Sequence, residues 1–190
     1  MNLEFYKSQA LLKQKEHKKF LESLRKKQPK NLDYTVQETH DEVFEKIDCL
    51  QCANCCKTTG PLFTSKDVER IAKHLKMKVA DFEDQFLRTD EDQDQVLQDL
   101  PCWFLNEDNS CSIYDIRPKA CREFPHTDRK KIYQINNLTI QNTVVCPAAF
   151  EFVERLQKNL EKKWCLEMLE EVVSKVVVFY LARTFYTKSF

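Results

Sequence analysis

The stretch Cys49-Leu50-Gln51-Cys52-Ala53-Asn54-Cys55-Cys56 places four cysteines in eight residues. A buried cysteine packs as a small apolar residue, and four so close together serve packing badly. Two cysteines separated by two residues can turn both sulfurs toward one ion. Here that spacing is stacked as Cys49-x2-Cys52-x2-Cys55, and Cys56 follows at once. Adjacent side chains point apart, so Cys56 is free to serve a second ion or to bridge two. Further along come Cys102, Cys111, Cys121 and Cys146. With Cys49, Cys52, Cys55 and Cys56 they make eight candidate metal ligands, enough for two four-sulfur sites. The ninth cysteine, Cys165, lies on an apolar helical face and reads as a packing residue.

Disulfides fit this pattern poorly, because the count is odd and one pair is vicinal. The N-terminal residues Met1 to Lys7 lack the apolar stretch of a signal peptide. The longest apolar segment, Val172 to Ala182, falls well short of the ~20 residues a spanning helix needs. These features read as a soluble, cytoplasmic chain, where thiols stay reduced. Clustered cysteines in that compartment point to metal.

Thiolates select soft or borderline ions, chiefly zinc and iron. Ferredoxin-type iron–sulfur proteins use C-x2-C-x2-C with a remote Cys-Pro, and this chain has Cys49, Cys52, Cys55 and a distant Cys146-Pro147. Overlapping C-x2-C units equally suit tetrahedral zinc. The expected cofactor is therefore zinc or iron, the latter alone or in an iron–sulfur cluster. The C-x3-C-x2-C spacing of radical-SAM enzymes is absent from the chain.

The chain resembles the CxxCxxCC cysteine-cluster family, the YkgJ-type zinc- or iron-chelating domain. The resemblance rests on Cys49-x2-Cys52-x2-Cys55-Cys56 and on Leu100-Pro101-Cys102-x-Phe104-Leu105. It continues through Cys111-x-Ile113-Tyr114, Arg117-Pro118-x2-Cys121-Arg122-x-Phe124-Pro125 and Cys146-Pro147. It covers about residues 46–150, leaving the basic N-terminus and the segment after 165 outside it. The resemblance implies metal chelation. The flagellin lysine methylases are similar in the cysteine run, so it also implies an alternative: an iron–sulfur enzyme of redox or lysine-methylase-like type.

Composition removes other classes. Gly60 is the single glycine, so neither a P-loop nor a dinucleotide-binding fingerprint can form. The formal net charge is zero, which argues for neither nucleic acid nor a membrane surface as partner. The charge is nonetheless uneven. Residues 1–30 hold nine Lys or Arg against three Glu, while 81–99 hold eight Asp or Glu against Arg88 alone. The basic stretch is lysine-rich with a single Arg, which suits stacking on bases badly. It reads as a solvated helix packed on the domain or on the acidic segment, with a protein partner as a further use.

The expected class is mainly α. A single domain would have an irregular, metal-stapled cysteine core and one small β-hairpin, its stability depending on the ions. Three regions are expected: a basic N-terminal helix and connector over 1–39, the cysteine domain over 40–160, and a helical extension over 161–190. Leu3, Tyr6, Ala10, Lys13, His17, Phe20 and Leu24 recur at helical spacing over residues 2–28, with Lys13 and His17 weakening the stripe. Residues 29–39 read as a polar connector and 40–47 as a short helix. Thr64 or Ser65 should cap a helix with Val68, Ile71, Ala72 and Leu75 inward, followed by a second over Val79–Leu87. Residues 89–95 read as an acidic loop, and Val96–Leu97 and Trp103–Leu105 as short strands or extended arms. Pro118 should open a small helix, and 131–135 with 138–140 the hairpin. A long helix should start at Pro147, with Phe150, Val153, Leu156 and Leu160 on its apolar face and the β-branched run Val176-Val177-Val178 disfavouring helix near its end.

Among other candidates, Arg117 and Arg122 flank Cys121. Either they serve the thiolates or an anion beside them, or they pair with Asp115 and Glu123. Tyr114 could pack beside the cluster or donate its hydroxyl to it, but core packing is the favoured reading. His126 is a poor ligand candidate once eight thiolates are available, and His17, His40 and His74 read as exposed. No H-E-x-x-H or G-x-S-x-G motif is present, so catalytic residues are not assigned.

Overall fold

The computed structural model describes residues 1–186; side chains beyond Trp164 are described only for Met168, Leu169 and Val173. Eight α-helices among the described residues make the chain 63% helical, with one small three-stranded antiparallel sheet. The class is therefore mainly α, as expected.

Helix α1 runs Leu3–Lys27; the Asn2 side chain accepts the Phe5 N–H at its start, and Gln28 closes it in the left-handed region before Pro29. The expected stripe is its inner face: Ala10, His17 and Leu24 are fully buried. Lys13 and His17 thus belong to the stripe instead of interrupting it. Glu154 explains this, accepting from Lys13 Nζ at 2.6 Å and facing His17 Nε2 at 2.7 Å. The expectation that His17 is exposed is wrong, because its partner lies on a helix far along the chain. His40 is also half-buried, with Nδ1 2.8 Å from Thr127 Oγ1, whereas His74 is exposed. The helix packs on the later helices Asn136–Val145 and Pro147–Tyr186, with no comparable packing on the acidic 81–99 segment among the described residues.

Helix α2 spans Leu32–Phe44, so most of the expected connector is helical. Its buried face is Leu32, Thr35, Val36, Thr39 and Val43. Two threonines on that face made the segment look polar, although the spacing is helical. Helix α3, Asn54–Thr58, follows the first cysteines. Helix α4, Ser65–His74, starts from a complete capping box between Thr64 and Asp67. Helix α5, Val79–Phe86, completes this group.

Strands β1 (Leu62–Phe63), β2 (Leu87–Thr89) and β3 (Gln95–Leu97) pair in the order β1-β3-β2, with Leu62 opposite Val96 and Leu87 opposite Leu97. The acidic loop is the turn between β2 and β3. Asp90 Oδ1 accepts the N–H groups of Asp92 and Asp94 there, an Asx-type closure that needs no glycine. In the Trp103–Leu105 segment only an isolated bridge forms, from Leu105 to Cys111.

The hairpin expected over 131–140 does not form. A 3-10 turn over Ile132–Gln134 leads into helix α7, Asn136–Val145. Asn136-Asn137 lacks the glycine that favours a tight hairpin turn, and Ile140 and Thr143 bury one helical face. Helix α6 is Lys119–Glu123, with Pro118 just ahead of it. Helix α8 is Pro147–Tyr186, and its apolar face Phe150, Val153, Leu156 and Leu160 is buried as expected. The helix continues through Val176-Val177-Val178, because intrinsic propensity is a weak preference within a long helix. Further out, Met168, Leu169 and Val173 are exposed, although the apolar spacing continues.

Two hydrophobic cores result. The first gathers Leu21, Leu24, Leu32, Val36 and Val43 with Ile132, Ile140, Phe152, Val153, Leu156 and Leu160. The second gathers Phe63, Val68, Ile71, Phe82, Phe86, Leu97, Phe104 and Ile113. The chain crosses from one to the other through the run Cys49–Cys56.

Candidate metal centre

The run is shaped by two local devices. Asp48 accepts the Leu50 N–H at 2.9 Å and starts a 3-10 turn over Cys49–Gln51. Ala53 then sits in the left-handed region at φ 47°, reversing the chain between Cys52 and α3. Only glycine adopts that region without steric cost. Helix α3 carries Cys55 and Cys56 on successive residues, their sulfurs 3.9 Å apart. The Asn54 side chain donates to Val145 O at 2.7 Å, fixing the start of α3 against the end of α7, one residue before Cys146.

The other four cysteines arrive on separate supports. Cys102 follows the cis Leu100–Pro101 bond and donates its N–H to Cys56 O at 2.8 Å. Cys111 is held by the bridge to Leu105, beyond a turn closed by Asp108 on Ser110. Cys121 rides on α6, and Cys146 stands directly before α8. Cys49 is exposed; Cys52, Cys55, Cys56, Cys102, Cys111, Cys121 and Cys146 are half-buried free thiols.

Backbone donors meet these sulfurs. The Asn54 N–H lies 3.4 Å from Cys52 Sγ. Those of Phe104 and Leu105 serve Cys102, that of Ile113 serves Cys111, and those of Ala149 and Ala148 serve Cys146. Such donors favour the thiolate. Burial opposes them and dominates, pushing the thiol of Cys102 up to about 11 and that of Cys146 up to about 11. Cys121 is pushed up to about 12, by burial first and then by Cys56, Cys102 and Cys111. In the vicinal pair, the hydrogen bond between the two sulfurs raises Cys55 and lowers Cys56. Buried sulfurs that would repel one another once ionised suit a thiophilic cation, which would offset both burial and repulsion.

Among the described residues no three Cys, His, Asp or Glu side chains converge on one point. Cysteines from distant segments are nonetheless electrostatic neighbours: Cys49 and Cys52 lie near Cys146, and Cys56, Cys102 and Cys111 near Cys121. The Cys165 side chain lies outside the described residues. His126 is half-buried after α6, with burial lowering its imidazole and Glu123, Arg129 and Asp128 as its charged surroundings. Tyr114 is not core packing: it is 59% exposed, and the Arg117 guanidinium lies 3.8 Å from its ring centre. Arg117 donates to Tyr114 O, and Arg122 donates to Arg117 O at 2.9 Å. Glu123 pairs instead with Lys119 at 3.5 Å. The Arg117 charge acts on Cys49, Cys111 and Cys121, lowering each.

Supporting residues escaped the sequence reading. Buried Asp67 accepts from Arg70 and from the Lys119 N–H, while Arg70 also donates to Ile116 O and Arg117 O. Together they hold the segment that carries Cys121. Asn142 donates to Pro125 O at 3.0 Å and fixes the exit from α6. The capping-box spacing was the one signal for Asp67; its second task depends on a residue far along the chain.

Comparison with known proteins adds a family model, CxxCxxCC, described as a "putative zinc- or iron-chelating domain", which matches residues 48–166. No solved structure matches the chain.

Proposed function

This chain belongs to the CxxCxxCC family, and from that membership we propose that it holds zinc or iron through the thiolates of Cys49, Cys52, Cys55, Cys56, Cys102, Cys111, Cys121 and Cys146. One observation carries the reading: seven half-buried free thiols and the exposed Cys49, several with backbone N–H groups aimed at the sulfur and with other cysteines as charged neighbours. Bound metal would add its binding free energy to folding.

The test is anaerobic purification of the full chain with elemental analysis. Stoichiometric zinc or iron is expected, with content falling in Cys52→Ser and Cys121→Ser and unchanged in Cys165→Ser. Equal metal content in all three variants overturns the ligand list. A second reading, an iron–sulfur cluster with redox or group-transfer chemistry, is supported by Cys146-Pro147 standing at the start of α8 beside the C-x2-C-x2-C run. Brown protein with acid-labile sulfide supports it; colourless protein with stoichiometric zinc excludes it.

A further inference from the structure

We propose that the eight cysteines would close around metal as two separate four-sulfur sites: Cys49, Cys52, Cys55 and Cys146 on the first core, and Cys56, Cys102, Cys111 and Cys121 on the second. This division rests on the metal-binding reading above and assigns which thiols share an ion.

The division follows the two cores. Cys146 packs directly on the first core. Cys49 follows the α2 segment, where Phe44 and Ile47 pack on that same core. The Asn54–Val145 hydrogen bond then holds the start of α3 beside Cys146, and Cys55 is the next residue. Most thiol neighbours agree: Cys146 has Cys49 and Cys52 near it, Cys55 has Cys146 and Cys49, and Cys56 is the shared neighbour of Cys49 and Cys55.

The other four belong to the second core. Cys102 and Cys111 pack directly on it. The Cys102 N–H is fastened to Cys56 O. Leu105 donates to Cys102 O and bridges to Cys111, so these two cysteines are held as one unit. Helix α6, bearing Cys121, packs on β1 and is pinned to Asp67 of α4 through Lys119. Cys121 has Cys56, Cys102 and Cys111 as its thiol neighbours.

The vicinal pair is the seam between the sites. Successive helical residues project about 100° apart around the axis. Cys55 and Cys56 can therefore serve opposite sides while their sulfurs remain 3.9 Å apart. Asn109 donates to Leu50 O at 2.8 Å and ties the second-core turn to the first-site loop, so the two ions would be neighbours.

Cobalt(II) added anaerobically to the full chain tests the division, read by thiolate-to-metal absorption and by counting bound ions. The wild type should take two ions. The double variants Cys49→Ser/Cys146→Ser and Cys111→Ser/Cys121→Ser should each keep one at wild-type affinity. The crossed double Cys121→Ser/Cys146→Ser should keep none at wild-type affinity. Circular dichroism is read on every variant, and Cys49→Ser/Cys52→Ser or Cys102→Ser/Cys111→Ser replaces a double that does not fold. A wild type that takes one ion, or a crossed double that keeps one at full affinity, overturns the division and leaves the metal reading standing. A wild type that takes no cobalt overturns both.

Discussion

The carboxylate of Asp67 accepts the backbone N–H of Lys119 at 3.1 Å, two residues before Cys121. The same side chain closes the capping box of α4 and pairs with Arg70. Asp67→Ala removes all three contacts at a buried position and leaves Arg70 without its carboxylate. A loss of about 3 kcal/mol is expected in urea unfolding, with weaker metal retention. Asp67→Asn keeps a capping acceptor and should lose about 1 kcal/mol. A loss below that for the alanine variant would show that α6 is held by other means.

Glu154 predicts the acid limb. Burial raises its pKa, but hydrogen bonds from His17 and Lys13 outweigh this and hold it below the ordinary 4.5. A carboxylate with a depressed folded-state pKa stabilises above its unfolded pKa and loses that stabilisation as pH falls through the folded value. Stability should therefore decline below about pH 4.5. Glu154→Gln should be less stable at neutral pH and show a flatter acid limb, measured by thermal melts from pH 3 to 7. Parallel curves for the two proteins would remove Glu154 from the account.

Metal binding should expel protons. Cys102 and Cys146 are pushed up to about 11 and Cys121 to about 12, so these thiols are protonated at neutral pH without an ion. A bound ion requires the thiolates. Zinc titration in buffers of different ionisation enthalpy should show more than one proton released per ion. Apparent affinity should rise by roughly tenfold or more per pH unit near neutrality. Affinity independent of pH would argue against thiol ligands.

Ala53 carries a steric cost that a single substitution reports. Its φ of 47° is open to glycine without penalty, while a β-branched residue meets its own carbonyl there. Ala53→Gly should keep full stability within about 0.5 kcal/mol and full metal content. Ala53→Val should lose about 2 kcal/mol, from the conformation and from its buried position. Equal stability of the two variants would mean that the turn relaxes freely.

What could be read from the chain alone depended on whether the signal was local. The α1 stripe, the Thr64 cap and the face Phe150-Val153-Leu156-Leu160 were legible because helical period and capping are short-range properties. The cysteines were legible as candidate ligands because their spacing is itself the signal. Helix α2 was missed because Thr35 and Thr39 are buried where polarity suggested a connector. The 131–140 hairpin was misread because β-branched residues around Asn136-Asn137 resemble strands when their burial partners are unknown. Tyr114 was misplaced because its companion, Arg117, covers it at the surface. Asp67, Arg70 and Asn54 were invisible in their supporting roles because each reaches across to a distant backbone group.

The two cores differ in how the chain must travel to build them. The second comes from one continuous stretch, Phe63 to Ile113, and closes only short loops. The first joins Leu21–Val43 to Ile132–Leu160, with all of the second lying between. Loop closure costs entropy that grows with the intervening length, and a folded insert shortens the effective loop. The insert is therefore expected to form early and the outer helices to close over it later. Pulse-labelling hydrogen exchange should show Val68 and Ile71 amides protected before those of Leu24 and Val36, and the reverse order would contradict this sequence of events.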